Sequence, residues 1–346
     1  MKTPHEAGSR RLGPNARSTL PGGYARELVD LCARFEVAPA RLVEGLGLSA
    51  ATLEDPSARV DLGTFTALVR RAEKLTGQPG LAYYAGLHTR VSWHGFLGFA
   101  AMTAGTLGEA LELAERFGRT RSDAVSLVTS TSGEEASVIL VERAPLGELR
   151  EFFVTALFIG LALIGESLVG RSLEGRLEMR HAEPPYFQKF AAAVPRLASV
   201  RFGQPVNRAV FPAPLLRLPI TSADAAATRL ARDQCERELA ALGEGAPVIT
   251  QVRAMLQGDL ALSLPEAAKR ATMSPRTLKR RLAEQGTTFS ELMDDARHQK
   301  ALVLLLDPRL TIEAIAATLG YSDTANFSRA FKRWTGRTPG EAREGT

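Results

Sequence analysis

Residues 262–293 read LSLPEAAKRATMSPRTLKRRLAEQGTTFSELM, and residues 311–343 read TIEAIAATLGYSDTANFSRAFKRWTGRTPGEAR. An offset of 48 places Ser274 on Ser322 and reveals an internal repeat. Leu264, Ala267, Ala268 and Ala271 then fall on Ile312, Ile315, Ala316 and Leu319. Both quartets have the i, i+3, i+4, i+7 spacing of one buried helical stripe. Ala268 and Ala316 are small enough for a second helix to cross closely. A tight turn follows in each copy, at Thr272-Met273 and Gly320-Tyr321. Ser274 and Ser322 are then expected as N-caps, with Pro275 suited to the first helical position of the first copy.

The second helix of each copy divides into two stripes. Leu278 and Leu282 face inward in the first, while Arg276, Lys279 and Arg280 face outward. Phe327, Phe331 and Trp334 face inward in the second, while Asn326, Arg329 and Arg333 face outward. A short helix, a turn and a helix with a basic, amide-bearing outer face is the helix-turn-helix arrangement. The residue types suit the chemistry, because arginine pairs with guanine edges, asparagine with adenine, and lysine or arginine neutralises phosphate. Gly286 and Gly336 are expected to end the two second helices in a left-handed cap conformation. Phe289 to Leu306 reads as one helix holding the two units at a fixed separation. A lone pattern of this kind is weak; two in tandem with matched basic faces point to duplex DNA.

Charge agrees. From Ala246 onward there are 15 Lys+Arg and 11 Asp+Glu, net +4, against 28 and 27, net +1, before it. Lys269 to Arg281 holds six basic residues and no acidic one. With 346 residues, two or three domains are expected. Residues 1–22 read as a disordered lead. Tyr24 to Phe35, 62–75 and 107–117 read as amphipathic helices, and Val37 to Leu53 as short ones. Ala124 to Thr129 and Ala136 to Glu142 read as a hairpin, followed by an apolar helix over 148–169 and strands near 173–180, 199–202 and 206–211. The apolar run Phe152–Gly165 is 14 residues, short of the roughly 20 a membrane span needs, so a buried helix and no membrane association is expected. Thr221 to Leu242 reads as a connector helix and 243–247 as a hinge. The fold class expected is an α+β domain over 23–220, a connector over 221–247, and an all-α domain over 248–343 with two helix-turn-helix units joined by a long helix.

The two quoted segments closely resemble the paired helix-turn-helix units of the arabinose-regulator (AraC) family of bacterial transcription factors, over about 248–343. The resemblance implies insertion of two recognition helices into adjacent major grooves of promoter DNA. Carried over by position, the base-reading faces are Arg276, Lys279 and Arg280, and Thr324, Asn326 and Arg329. The sequence departs at Ala271 and Thr272, where Leu-Gly is usual, which implies a looser first unit. GLGLSAATLEDPSARVDL, LTGQPGLAYYAG, WHGFLGFAAMTAGTLGEALELAERF and RFGQPVNRAVFPAPLL resemble the N-terminal effector domain of a subgroup that includes regulators of amino-acid catabolism. That implies a small-molecule effector, a homodimer and activation through RNA polymerase, in the cytoplasm. No motif assigns the effector-binding residues.

The rival class is an enzyme, or a covalent sensor domain fused to the DNA-binding unit. Gly45 to Ala50 matches GxGxxA but follows a helical stretch rather than a strand. Gly165-Glu166-Ser167-Leu168-Val169 misses the nucleophile elbow at its last position. His5, His88, His94, His181 and His298 have no metal-ligand spacing. Cys32 and Cys235 are too few for a metal-held alkyl-accepting cysteine, and suit a reducing compartment. No catalysis, cofactor or metal is expected. Tyr83, Tyr84, Trp93 and His94 are pocket candidates, with core aromatics the favoured reading. Arg119, Arg121 and Arg143 are candidates for an anionic effector, with surface salt bridges favoured.

Overall fold

The computed structural model describes residues 18–55, 58–193, 199–243, 248–305, 307 and 309–344. Two compact units emerge, 18–241 and a second one beginning at Leu242. The lead over 1–17 and the hinge at 244–247 lie outside the described residues. Residues 18–22, read as part of that lead, are built into the first unit. Strand β1 (Thr19–Pro21) pairs antiparallel with β2 (Arg59–Asp61), and Leu20 is buried. Its partner lies 40 residues away, so local Gly/Pro composition hid it.

In the first unit, α1 (Gly22–Ala33), α2 (Pro39–Val43), α3 (Ala50–Glu54) and α4 (Leu62–Thr76) gather around this ribbon. Leu28, Leu31 and Cys32 of α1 bury in one cluster with Phe65, Leu68, Val69 and Ala72 of α4, as two amphipathic helices do. Asp61 caps α4, and Gly77 closes it at φ +63. Next come α5 (Leu81–His88), α6 (Gly95–Thr103) and α7 (Leu107–Phe117). Helices α5 and α6 escaped the sequence reading because they are apolar on nearly every face, so no amphipathic period marks them.

A five-stranded sheet follows, with spatial order β3-β4-β7-β5-β6. Strands β3 (Val125–Ser132) and β4 (Glu135–Glu142) form the expected hairpin, with β3 starting one residue later and ending three residues later than read. Their turn is Gly133-Glu134, with Gly133 at φ +59. Strands β5 (Arg176–Glu178) and β6 (Val200–Arg201) are parallel, and β7 (Arg208–Pro212) joins β5 to β4 antiparallel. Between β4 and β5 runs α8 (Arg150–Val169). By length and composition α8 suffices to cross a bilayer, yet it is a core helix of this unit. Val154 and Phe158 are fully buried with Ala124, Leu140 and Met179. Helix α5 approaches α8 closely, since a Cβ at Gly86 would sit 2.8 Å from Ile159. Helix α9 (Phe187–Ala193) adds an aromatic cluster in which Tyr83 stacks on Phe190 at 4.9 Å.

The long helix expected from Thr221 begins later, as α10 (Ala225–Gly243). Asp224 caps it by accepting the N–H groups of Ala226 and Ala227. Read as a connector, α10 in fact packs on its own unit: Ala231 and Cys235 are buried with Leu97, Ala100, Leu113 and Phe117. Thr228 Oγ1 donates to the Thr103 carbonyl at 2.6 Å.

The second unit is all helix: α11 (Val248–Gly258), α12 (Leu264–Arg270), α13 (Pro275–Glu284), α14 (Phe289–Leu305), α15 (Ile312–Thr318), α16 (Thr324–Thr335) and α17 (Pro339–Glu344). It holds two small cores. Val252, Leu256, Ala267, Ala268, Leu278, Leu282 and Leu292 form one. Ala301, Leu305, Ile315, Ala316, Leu319, Phe327 and Phe331 form the other. Helix α14 supplies Leu292 to the first and Ala301 and Leu305 to the second, so it is a shared wall rather than a tether.

Candidate nucleic-acid interface and effector cavity

Each repeat builds its recognition helix from a turn and a cap. In the first, the Ser263 hydroxyl accepts the Glu266 N–H while the Glu266 carboxylate accepts the Ser263 N–H, a capping box that starts α12. That hydrogen bonding holds Glu266 below the usual carboxylate range. The chain leaves α12 through Thr272 at φ +53; the matching residue of the second repeat is Gly320, at φ +78. Ser274 Oγ then accepts the Thr277 N–H at 3.1 Å and starts α13 as expected, with Pro275 at the first position.

In the second repeat the cap differs from expectation. Asp323, not Ser322, is the N-cap of α16, its carboxylate accepting the Asn326 N–H at 2.7 Å. Ser322 Oγ instead donates to Asp323 at 3.0 Å. A carboxylate binds the positive helix N-terminus more strongly than a hydroxyl does, and it stands one residue nearer the first turn. These bonds, the backbone one foremost, hold Asp323 below its ordinary range.

The sequence-nominated residues sit on the exposed faces. Arg276, Lys279 and Arg280 are exposed on α13, opposite the fully buried Leu278 and Leu282. Arg280 makes an exposed ion pair one turn on with Glu284, at 2.9 Å. On α16, Arg329 and Arg333 are exposed, and Thr324 and Asn326 half-buried, opposite the fully buried Phe327 and Phe331. A polar chain organises the start of this face. Asn326 Nδ2 donates to Asp323 at 2.5 Å and to Ser322 at 3.1 Å, and its Oδ1 accepts from Arg329 at 2.7 Å. Arg333 is tied to Asp294 of α14 at 2.8 Å. The nominated residues therefore form two surface clusters, one per repeat. Sequence reasoning missed Asp323 as the group that aims Asn326, although Asp at N-cap followed by Asn at the third helical position was a readable signal.

The first unit contains a partly open cavity of about 700 Å³. Its walls are mostly apolar, among them Leu97, Leu111, Val138, Leu157, Leu161 and Ile164. Of the pocket candidates, Trp93, His94 and Arg121 line it. Tyr83 and Tyr84 do not; they pack on Phe190. Arg143 donates to Ser126 at 2.8 Å. One end of the cavity is polar. The Tyr24 hydroxyl lies 2.7 Å from His94 Nδ1. Burial pushes Tyr24 up to about 12 and His94 down to about 4, so both are neutral near pH 7. Arg121 stands beside them, donating through Nε to Thr120 and through Nη2 to Glu238 of α10 at 2.5 Å. Composition could not reveal this cavity, because its lining comes from across the whole unit. Among the described residues no cluster of three or more His, Cys, Asp or Glu is placed to hold a metal ion.

Comparison with known proteins agrees with this division. Residues 37–220 match the family model described as the arabinose-binding domain of AraC transcription regulator, N-terminal, and residues 267–345 match a helix-turn-helix domain model. The ornithine utilization regulator of Pseudomonas aeruginosa is 32% identical over 329 residues, 94% of this chain and 96% of that one. The HTH-type transcriptional regulator VqsM of the same organism is 44% identical over 81 residues, 23% of this chain and 25% of the relative. Among solved structures, the transcriptional regulator CdpR from Pseudomonas aeruginosa aligns over 92% of this chain and 97% of its own, at 24% identity and a TM-score of 0.47. With an arabinose-binding-type effector domain in front and tandem helix-turn-helix units behind, this chain belongs to the AraC family of DNA-binding transcription regulators.

Proposed function

We propose that α13 and α16 enter two successive major-groove segments of one promoter face, about 34 Å apart. Arg276, Lys279 and Arg280 read base edges from α13, and Thr324, Asn326 and Arg329 read them from α16. Arg333, tied to Asp294 in the free protein, exchanges that partner for a phosphate or base edge. The observation that carries this reading is the matched placement of exposed basic and amide side chains on the two repeat-related helices, each backed by its own core. The 700 Å³ cavity of the first unit is the effector site in this reading, a size suited to an organic ligand. Effector binding shifts a population of domain arrangements, and the segment after α10 transmits the shift. The regulator works in the cytoplasm as a homodimer that contacts RNA polymerase.

Selection of bound duplexes from a randomised library tests the DNA reading. Two short motifs with centres about 10–10.5 base pairs apart are expected. A single motif, or none, overturns it. A thermal-shift screen of small metabolites on the full chain tests the effector reading; it includes ornithine, after the relative named for its use. A ligand bound only by the folded state raises the melting temperature by mass action.

A further inference from the structure

The cavity carries its own statement about what it holds. Its walls are apolar, so most of its occupant is apolar. Two cationic side chains line it, Arg121 and Arg176. Arg176 is clamped from two sides, by Glu135 at 2.7 Å and Glu178 at 2.8 Å, and is fixed in the sheet. Arg121 differs. Its side chain is 18% exposed, and among the described residues its carboxylate partner is Glu238, a residue of α10 that is itself 27% exposed. Its polar surroundings also include the neutral Tyr24–His94 pair, the Thr120 hydroxyl and a second guanidinium, Arg59, which donates to the Thr19 hydroxyl and to the Thr19, Thr120 and Arg121 carbonyls. The wall also carries three carboxylates, Glu27, Glu166 and Glu174; the last lies two residues before Arg176 in the chain, and the first two have partners. Glu27 pairs with Arg26 at 3.4 Å, and Glu166 accepts the Leu173 N–H at 3.1 Å. Arg59 is spent on those neutral acceptors and does not line the cavity, so the guanidinium that the polar end presents to an occupant is that of Arg121, whose planar fork matches a carboxylate bidentately.

We propose, resting on the reading of this cavity as the effector site, that the effector is an amphipathic monocarboxylate, and that its head group displaces the Glu238 carboxylate from Arg121. The exchange keeps the local charge balanced, since one carboxylate replaces another and Glu238 turns toward water. Its consequence falls on α10, the last helix before the DNA-binding unit in the chain. Among the described residues two ion pairs hold the C-terminal half of that helix, Arg121 to Glu238 and Arg116 to Glu236. Loss of the first leaves only the more exposed second. Ligand recognition and release of the helix end are thus the same event at the same guanidinium.

Three ligands with one tail isolate the head group: decanoate, methyl decanoate and decylamine. Binding to the full chain is followed through Trp93, which lines the cavity, in a Trp334→Phe background. Decanoate is expected to bind at least about tenfold tighter than the ester or the amine, the worth of a hydrogen bond to a charged group. Glu238→Gln removes the competing carboxylate and is expected to tighten decanoate several-fold while leaving the ester unchanged. Arg121→Met is expected to erase the preference for acid over ester. Backbone amides of 232–241 are expected to exchange faster with decanoate bound, and to do so without ligand in Glu238→Gln. Equal binding of acid and ester overturns the head-group assignment and leaves the cavity reading standing. A preference for the amine overturns the charge. Glu238→Gln that weakens decanoate overturns the competition even where Arg121→Met fails to fold. If none of the three enters, the amphipathic ligand class is wrong, and the metabolite screen decides separately whether the domain binds an effector at all.

Discussion

Thr272→Gly is expected to stabilise the second unit by about 0.5–1 kcal/mol, an unusual sign for a substitution that deletes a side chain. Thr272 holds φ +53 in the turn between α12 and α13, where a residue with a Cβ is strained. The left-handed conformation costs roughly 1–2 kcal/mol for an L-residue, and a β-branched side chain stands at the unfavourable end. Glycine removes that cost, but its freer unfolded chain returns about 0.4–1 kcal/mol. Little else is lost, because Thr272 is exposed and its hydroxyl donates only to the neighbouring Ala271 carbonyl, at 2.8 Å. A gain of that size raises the melting midpoint of a unit of this length by about 2–8 °C. The chain has two tryptophans, Trp93 in the first unit and Trp334 in the second, so Trp93→Phe leaves a fluorescence signal that reports the second unit alone. The two small cores share α14, so a change in stability at Thr272 is expected to move the unfolding midpoint read at Trp334. The reciprocal change, Gly320→Thr, should lower the midpoint. It imposes the same strain at φ +78 and brings a Cβ to 3.3 Å from the Arg297 guanidinium. A Thr272→Gly midpoint equal to or below that of the parent, with helix content intact, refutes the reasoning.

Arg280→Ala and Arg329→Ala are each expected to cost about 1–3 kcal/mol at a specific site and to relax preference at one or two base pairs; equal weakening on random duplexes removes them as base readers. Lys332→Ala, on the exposed surface of α16 but off that stripe, should weaken all sequences alike and lower the slope of affinity against salt. Leu282→Ala should lose about 2–5 kcal/mol through a cavity in a fully buried position and unfold the first helix-turn-helix before any contact with DNA is tested; urea unfolding measures it. The Asp323 carboxylate is held below its ordinary range by the Asn326 N–H, so the stability it adds is present above the unfolded value. That stability is lost as pH falls through the folded value, in the window from about pH 4 downward. Asp323→Asn keeps an acceptor at the cap and should flatten this part of the acid-unfolding curve read at Trp334; superposable curves for parent and variant count against the cap as its source.

Several elements were legible because short-range physics decides them. The buried stripe Ile312, Ile315, Ala316 and Leu319, the cap at Ser274 and the left-handed Gly336 all follow from spacing and residue type. Elsewhere a local rule met a stronger competitor. Ser322 obeyed the capping preference, but the adjacent Asp323 binds the helix start as a charge. Helix α10 read as a connector from its irregular leucines, but its small residues Ala231 and Cys235 are what the first unit buries. Residues 18–22 read as a lead from composition, although Leu20 had a strand partner 40 residues on.

By itself the sequence determined the repeat, the matched basic faces of α13 and α16 and their inward cores, and with them the DNA-binding character of the last hundred residues. Helical periodicity and charge are properties of neighbours within a few turns, and a repeat states them twice. Only the tertiary structure decided that α14 is a wall common to two small cores, that Asp323 aims Asn326 and Arg329, and that Arg121 meets Glu238 at the polar end of an apolar cavity. Those relations join residues up to 117 positions apart. No local pattern encodes them, because they arise only when burial of separate apolar faces brings distant segments together, and the polar groups caught between those faces must then find one another.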